Sequence, residues 1–269
     1  MESPTIGLIA GRGKFPFLFA HQARAQKRRV VTAAICGDTS IFLKFFVDQW
    51  AWFKVGELTK LLEYFKKTGV RQVVMAGYVK PENLFDPNVT FDPLSQKILD
   101  GLDNQKTDTL LSAVAEKFNE HGLELMDSTL LLKEFLAPKG TLTRRGPTLV
   151  ELDDIAFGKE IAKGMGGLDV GQTVVVKEKT IIAVEAMEGT DRTIIRAGTM
   201  AQGRAVVVKM SKPQQDLRFD VPVIGPKTIR TMIKAGASCL AIEAGKTLII
   251  DRPSCIKLAD KAGICIVAA

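Results

Sequence analysis

The densest concentration of chemically able side chains is the stretch Lys212-Pro213-Gln214-Gln215-Asp216-Leu217-Arg218-Phe219-Asp220-Val221-Pro222-Val223-Ile224-Gly225-Pro226. A lysine, an arginine and two aspartates lie among prolines that stiffen the backbone. Alternate residues of an extended chain face the same side, so Asp216, Arg218 and Asp220 are expected to converge. An arginine in that position can clamp a phosphate through two parallel hydrogen bonds. An aspartate can bind a metal ion or orient water, and Lys212 adds a second positive charge. A plain polar loop is the alternative for the same residues.

A second cluster is Glu185-Ala186-Met187-Glu188-Gly189-Thr190-Asp191, directly after an apolar run. Carboxylates at this density can hold Mg²⁺, a hard cation that takes oxygen ligands. Glu188 and Asp191 are therefore candidate metal ligands, and Gly189 and Thr190 are candidates to admit a substrate phosphate. The alternative is a polar turn in which Thr190 or Asp191 caps a helix. Two glycine turns complete the set. In Gly11-Arg12-Gly13-Lys14, glycines at a strand-to-helix turn let backbone N–H groups approach a phosphate, and the helix start favours negative charge. Gly11, Gly13 and Lys14 are the candidates there. Gly77 and Tyr78 sit at the carboxyl end of another expected strand, where open α/β sheets place ligands. A tight turn without a ligand explains either one equally well.

These residues need a scaffold. In the first half, strands are expected at Thr5 to Ala10, Val30 to Ile35, Trp50 to Val55, Gln72 to Ala76 and Leu123 to Met126. Helices are expected from Pro16 to Gln26, Glu57 to Lys67 and Thr107 to Glu120. Strands alternating with helices imply a parallel sheet with helical crossovers. Pro81, Pro87 and Pro93 interrupt the rhythm, so residues 81–93 are expected to form a loop over the sheet's edge. Residues 137–147 look like a linker, with prolines, glycines and basic residues and little periodicity.

Beyond the linker, a helix runs from Val150 to Met165 and ends at Gly164, Gly166 and Gly167. A hairpin follows over 173–184, then a helix from Asp191 to Met200 and a strand from Ala205 to Lys209. Pro226 to Ala235 is a helix with proline in its first turn and Gly236 past its end. Short strands at Cys239, Thr247 and Ile264 and a helix from Pro253 complete a second α/β unit. The expected fold is α/β in two domains. Residues 1–136 form a Rossmann-like parallel sheet, 137–147 the linker, and 148–269 a distinct catalytic α/β domain.

Nearly half the residues are apolar, which suffices for a sizeable core, and no apolar run approaches bilayer-spanning length. A cytoplasmic protein is expected. The formal net charge of +7 suits an anionic partner, either a membrane surface or a phosphorylated substrate. The basic clusters at Arg24, Lys27, Arg28 and Arg29, and at Lys139, Arg144 and Arg145, lack any nucleic-acid-binding motif. The cysteines Cys36, Cys239, Cys255 and Cys265 form no CxxC pair and read as small buried hydrophobes.

Three segments carry a family resemblance: Gly7 to Pro16, Val184 to Asp191, and Lys212 to Gly225. Their residues and order resemble the UDP-2,3-diacylglucosamine pyrophosphatases of the lipid A (lipopolysaccharide) pathway that lack a metallophosphoesterase fold. The resemblance implies hydrolysis of UDP-2,3-diacylglucosamine to UMP and 2,3-diacylglucosamine 1-phosphate. It also implies dependence on Mg²⁺, or another divalent cation such as Mn²⁺, and homodimers. The family's essential aspartate maps onto Asp220, followed by Val221, Pro222, Val223, Ile224 and Gly225. On that basis Asp220 is the expected metal ligand or water-orienting base, and Lys212 and Arg218 the expected diphosphate neutralisers. Arg12-Gly13-Lys14 departs from the smaller residues of many members, which leaves the geometry of the first loop open.

Other classes fit less well. The dinuclear metallophosphoesterases that perform this reaction need histidines grouped with aspartates, and this chain has only His21 and His121, both isolated. A Rossmann dehydrogenase needs a third glycine where Pro16 stands. A non-catalytic nucleotide-sugar or glycolipid-binding protein leaves the Asp216, Arg218, Asp220 cluster without a role. Acyl chains need an apolar cleft, for which Phe15, Phe17, Phe42, Phe45, Phe46, Trp50, Trp52 and Phe53 supply surface, unless most of them are core. Some of them, beside basic residues, are candidates to touch the inner membrane peripherally.

Overall fold

The computed structural model describes residues 5–80, 86–102, 104 and 107–269. They divide into two compact units. Unit 1 takes in the chain to Leu132 together with Leu217–Phe219, and unit 2 comprises Lys133–Asp216 and Asp220–Ala269.

Unit 1 is built on β1 (Thr5–Ala10), β2 (Arg29–Ile35), β3 (Gln49–Phe53), β4 (Gln72–Ala76) and β5 (Glu124–Leu125). The strand order is β3-β2-β1-β4-β5, and every pair is parallel. The order reverses beside β1, which is the doubly wound pattern of a Rossmann-like sheet. Helices α1 (Phe15–Ala25), α2 (Leu58–Lys67), α3 (Pro93–Asp100) and α4 (Thr107–Glu120) supply the crossovers. Covered on both faces, β1 is buried from Ile6 to Ala10 and β2 from Val30 to Ile35, and apart from Thr32 these positions are apolar, as in buried parallel strands. Phe65 and Phe118 fill the core beside Leu62 and Leu123.

Of the loop expected over residues 81–93, residues 81–85 lie outside the described residues. From Asp86 the chain turns, and Asp92 caps α3 by accepting from the Ser95 N–H at 2.8 Å. Pro93 therefore opens a helix rather than breaking one, because proline needs no donor at the first turn. A 3₁₀ turn at Ile41–Phe46, absent from the periodicity reading, packs beside α1 through an edge-to-face contact of Phe17 and Phe46.

Unit 2 contains β6 (Gly140–Thr141), β7 (Thr173–Lys177), β8 (Thr180–Val184), β9 (Val206–Lys209), β10 (Val223–Ile224), β11 (Cys239–Ile242), β12 (Leu248–Ile249) and β13 (Cys265–Ala268). A mixed sheet runs β6-β13-β11-β9-β7-β8, and β10 pairs with β12 separately. Strands β9, β11 and β13 are mutually parallel, while β7 is antiparallel to both neighbours. Helices α5 (Leu149–Gly167), α6 (Thr190–Ala201), α7 (Pro226–Ala235) and α8 (Arg252–Ala262) cover the sheet. Within residues 137–147, β6 pairs with β13, and the Leu142 N–H reaches the Ile266 carbonyl at 2.8 Å.

Helix α5 runs through the glycines expected to end it. Packing outweighs their poor helix propensity. A Cβ at Gly166 would lie 3.2 Å from the Lys212 Cα, so the small residue admits the Lys212 backbone. Among the described residues no helix is long and apolar enough to cross a membrane.

Candidate functional site

The carboxyl ends of β8, β9 and β11 lie along one edge of the unit 2 sheet, and antiparallel β7 begins there, with Thr173 opposite Lys209. Each of these strands delivers a polar residue at or just past its end: Glu185, Lys209 and Glu243. Ligands of α/β sheets bind at this edge because helix starts and loop amides face it. Lys209 is only 6% exposed. Its ammonium lies 2.9 Å from Thr190 Oγ1, 3.4 Å from Thr173 Oγ1 and 3.9 Å from Glu185 Oε2. Thr190, the first residue of α6, also donates to Glu185 Oε1 at 2.8 Å. Burying an ammonium is costly unless it is paired, and these oxygens supply the pairing.

A second ammonium lies on the loop that leaves β9. Lys212 is 8% exposed, and its Nζ lies 2.5 Å from Asp169 Oδ1 and 3.1 Å from Asp220 Oδ2. The Gln172 amide nitrogen lies 2.6 Å from each Asp220 carboxylate oxygen. Gln215 ties this loop together, because its Oε1 accepts from the Lys212 N–H at 2.6 Å while its amide donates to the Asp220 carbonyl. The Asp220 carboxylate is thus fixed in plane and position before any ligand arrives. Among the described residues, Gln172 Oε1, Glu185 Oε2 and Ser211 Oγ are buried with no hydrogen-bond partner. Buried polar atoms in that condition mark places that water or a ligand completes.

The stretch 216–220 does not run extended. The Asp220 N–H bonds to the Asp216 carbonyl at 2.9 Å, closing a turn, so the alternation that would bring Asp216, Arg218 and Asp220 to one side is replaced. The apolar residues between them decide this. Phe219 packs on the unit 1 core, and the Leu217 carbonyl accepts from the Ser128 N–H at 2.8 Å. Arg218 belongs to unit 1 with them, its guanidinium 5.7 Å from the centroid of the Phe219 ring.

Glu188 and Asp191 have other partners. Glu188 accepts from the Ala186 N–H at 3.0 Å and from Arg196 at 2.6 Å. Burial works to raise its pKa, but the Arg196 guanidinium and these N–H donors outweigh it and hold the carboxyl below its ordinary value. Asp191 pairs with Lys227 at 2.9 Å. Among the described residues no group of three or more His, Cys, Asp or Glu side chains is gathered as a cation site. Asp220, Glu188 and Asp191 therefore do not fit a shared metal cage. Asp220 alone, with oxygens brought by a substrate, does fit Mg²⁺, which is usually held by one or two carboxylates and phosphate oxygens.

In unit 1 the two glycine turns meet each other. The Arg12 N–H bonds to the Tyr78 carbonyl at 2.7 Å, and the Tyr78 N–H returns to Arg12 at 3.0 Å. A Cβ at Gly11 would lie 2.7 Å from the Tyr78 carbonyl oxygen, and one at Gly77 would lie 2.8 Å from that of Arg12. Both glycines are thus required by the loop contact itself, and the Gly11 N–H is also occupied, by Ala76. Gly13 and Lys14 follow on the exposed approach to α1.

The expected aromatic cleft is elsewhere. Phe15 and Phe53 are core, while Phe42, Phe45, Phe46 and Trp52 are exposed. Unit 1 instead holds an apolar cavity of about 230 Å³, lined by Ile35, Leu61, Met75, Ile98, Leu111 and Val114, among others.

Two family models match the chain, the LpxI N-terminal domain over residues 5–135 and the LpxI C-terminal domain over residues 138–267. The chain belongs to the LpxI family. A Caulobacter vibrioides relative named UDP-2,3-diacylglucosamine pyrophosphatase LpxI is 31% identical over 274 residues, covering 96% of this chain and 95% of its own. The solved structures this chain resembles include remote likenesses. A biotin carboxylase from Campylobacter jejuni matches with a TM-score of 0.28 and 13% identity, over 73% of this chain and 42% of that one. The biotin carboxylase subunit of pyruvate carboxylase matches with 0.25 and 12%, over 73% and 40%. The chain spans less than half of either structure, and at these scores the likeness carries no argument.

Within this LpxI-family chain, several site residues escaped sequence reasoning. Lys209 had a signal: a lysine ending the apolar run Val206 to Val208 is placed at a strand's carboxyl edge and is rarely buried without a partner. Asp169, Gln172 and Thr173 had none, since they are polar residues in an ordinary helix-to-strand turn.

Proposed function

We propose that this chain hydrolyses the diphosphate of UDP-2,3-diacylglucosamine, releasing UMP and 2,3-diacylglucosamine 1-phosphate for lipid A synthesis. The observation that carries the reading is the Asp220 carboxylate, held between Gln172 and Lys212 with a second buried ammonium, Lys209, on the same sheet edge. Membership of the LpxI family supports the substrate. The cavity under α2, α3 and α4 is a suitable lining for an acyl chain.

In this mechanism Asp220 orients a water molecule and accepts its proton as the oxygen bonds to one phosphorus. The bond from that phosphorus to the bridging oxygen breaks, and the bridging oxygen leaves with the electron pair on the other phosphate. Lys212 and Lys209 offset the negative charge that develops, which preorganised cations do best in a site that excludes water. Gln172 holds the carboxylate in the required plane. Gly189 and Thr190 supply the start of α6 beside Lys209, where helix-end amides favour phosphate. Mg²⁺ or Mn²⁺ would be held by Asp220 and diphosphate oxygens, and when bound it neutralises those oxygens. Arg218, on this reading, neutralises the diphosphate, and Asp216 shapes the turn that carries Asp220.

The test is UMP release from UDP-2,3-diacylglucosamine with and without Mg²⁺, with Asp220→Ala alongside. Release by the wild-type protein and its loss in a folded variant are expected. Equal release by both moves the chemistry away from Asp220. Binding without release by the folded wild type overturns hydrolysis in favour of a glycolipid-binding protein.

A further inference from the structure

Away from the sheet edge of unit 2, one face of unit 1 combines exposed aromatic side chains with concentrated positive charge. The 3₁₀ turn Ile41–Phe46 advances three residues per turn, so Phe42 and Phe45 share one outward face while Leu43 is turned inward. Phe42 is 65% exposed and Phe45 67%, whereas Leu43 is fully buried. Exposed aromatic rings grouped in this way are an interaction signal rather than ordinary scatter. Beside them a cavity of about 440 Å³ is lined by Arg24, Lys27, Arg28 and Arg29, together with Phe45, Phe46 and Asp48. The one acidic member of that lining is already engaged, since Asp48 accepts from the Val30 N–H at 2.7 Å. Lys44 stands on the turn itself, 5.1 Å over the Phe45 ring.

We propose that this face docks on an anionic bilayer surface, with Phe42 and Phe45 entering the headgroup boundary and Arg24, Lys27, Arg28, Arg29 and Lys44 meeting lipid phosphates. Charge selects this occupant. A second copy related by twofold symmetry would set the same cations against one another, which costs free energy, whereas an anionic leaflet attracts each of them. The apolar rings separately disfavour a small soluble anion, which has nothing to offer them. The inference adds to the proposed function a route to its substrate, because a diacylated sugar nucleotide resides in such a surface, but the docking itself needs no chemistry in unit 2.

The experiment is co-sedimentation of the full chain with vesicles of equimolar phosphatidylcholine and phosphatidylglycerol, against vesicles of phosphatidylcholine alone. The variants are Phe42→Ser/Phe45→Ser and Lys27→Gln/Arg28→Gln, both on exposed or half-exposed positions. Wild type should partition onto the anionic vesicles only. Partitioning should fall about fivefold for each basic residue removed, and about tenfold for each phenylalanine. Release by phosphate but not by chloride at equal ionic strength would overturn the proposal in favour of a soluble-phosphate site. Unchanged partitioning of the phenylalanine variant would overturn it, as would failure of the wild type to bind. So would a dimer that the phenylalanine variant dissociates without any vesicle binding, which would make the face a contact between copies. UMP release from detergent-dispersed substrate by both variants should match wild type. Its absence in all three proteins would count against the hydrolase while leaving the sedimentation result to decide the docking.

Discussion

The amide nitrogen of Gln172 lies 2.6 Å from both carboxylate oxygens of Asp220, while the Gln172 backbone carbonyl accepts from the Met210 N–H at 3.0 Å. The residue whose side chain sets the plane of the carboxylate is therefore anchored through its backbone just past the end of β9. Removing it leaves Asp220 with Lys212 but free to rotate. Gln172→Ala should lower kcat for UMP release about tenfold with little change in KM, because a misplaced group costs most in the transition state. A rise in KM with kcat intact would make Gln172 a substrate contact instead.

Lys209 and Glu185 are buried together, so stability and catalysis can be separated there. Lys209→Met strands the Glu185 carboxylate, which already has one unsatisfied oxygen, and should cost about 3 kcal/mol of stability. Lys209→Met/Glu185→Gln should recover most of that loss. Activity should remain down about a hundredfold in both variants if the ammonium serves the diphosphate. Thermal melts and UMP release, measured on the same samples, decide it. Recovery of activity along with stability would leave Lys209 a purely structural role.

The architecture was legible because its signals are local. The apolar runs of β1, β2 and β4, separated by helix-length segments, already imply a parallel sheet. The hairpin was legible as well, down to its turn, where Asp154 accepts from the backbone N–H groups of Glu178 and Lys179. What failed depended on distant partners. Gly166 reads as a helix stop until the Lys212 backbone is placed against it. Residues 216–220 read as extended until Phe219 finds the unit 1 core. In the site, Asp220 and Lys212 were visible as charged residues in a proline-stiffened stretch. The partners that fix them, Asp169 and Gln172, come from another turn and carry no motif. The aromatic residues were read together as candidates for a cleft or a membrane contact, because residue type does not distinguish the buried Phe53 from the exposed Phe45.

Glu151 gives unit 2 an acid-sensitive fastening. Its carboxylate accepts from Arg145 at 2.7 and 2.8 Å, from the Thr148 N–H at 2.9 Å and from Ser238 at 2.7 Å. Burial alone would raise its pKa, but the Arg145 guanidinium and the other donors pull it down from 4.5 to about 2. A depressed carboxylate stabilises the fold fully above its unfolded pKa, and that contribution disappears as pH falls through the folded one. The window is therefore pH 4.5 down to about 2. Glu151→Gln should cost about 2 kcal/mol at neutral pH. The difference from wild type in denaturant melts should shrink as pH falls through that window. A difference constant from pH 7 to the acid limit would assign the loss to packing.

The unit 1 cavity makes a prediction about chain length that separates an acyl site from an incidental void. Val114 lines it from α4 and is half-buried, so a larger side chain can enter the space without displacing the β-sheet. Val114→Phe should fill part of the roughly 230 Å³ that an acyl chain would use. Overpacking of this kind costs about 1–3 kcal/mol, which a fold of this size should survive. If the cavity takes an acyl chain, KM should rise for long-chain UDP-2,3-diacylglucosamine and stay near wild type for a short-chain analogue, with kcat little changed for either. The discrimination arises because the filled volume is space that a long chain would occupy and a short one would leave empty. UMP release measured across a series of acyl lengths gives the comparison directly. Equal rises in KM for short and long chains would trace the effect to a general disturbance of unit 1, and no rise at all would place the acyl chains outside this cavity.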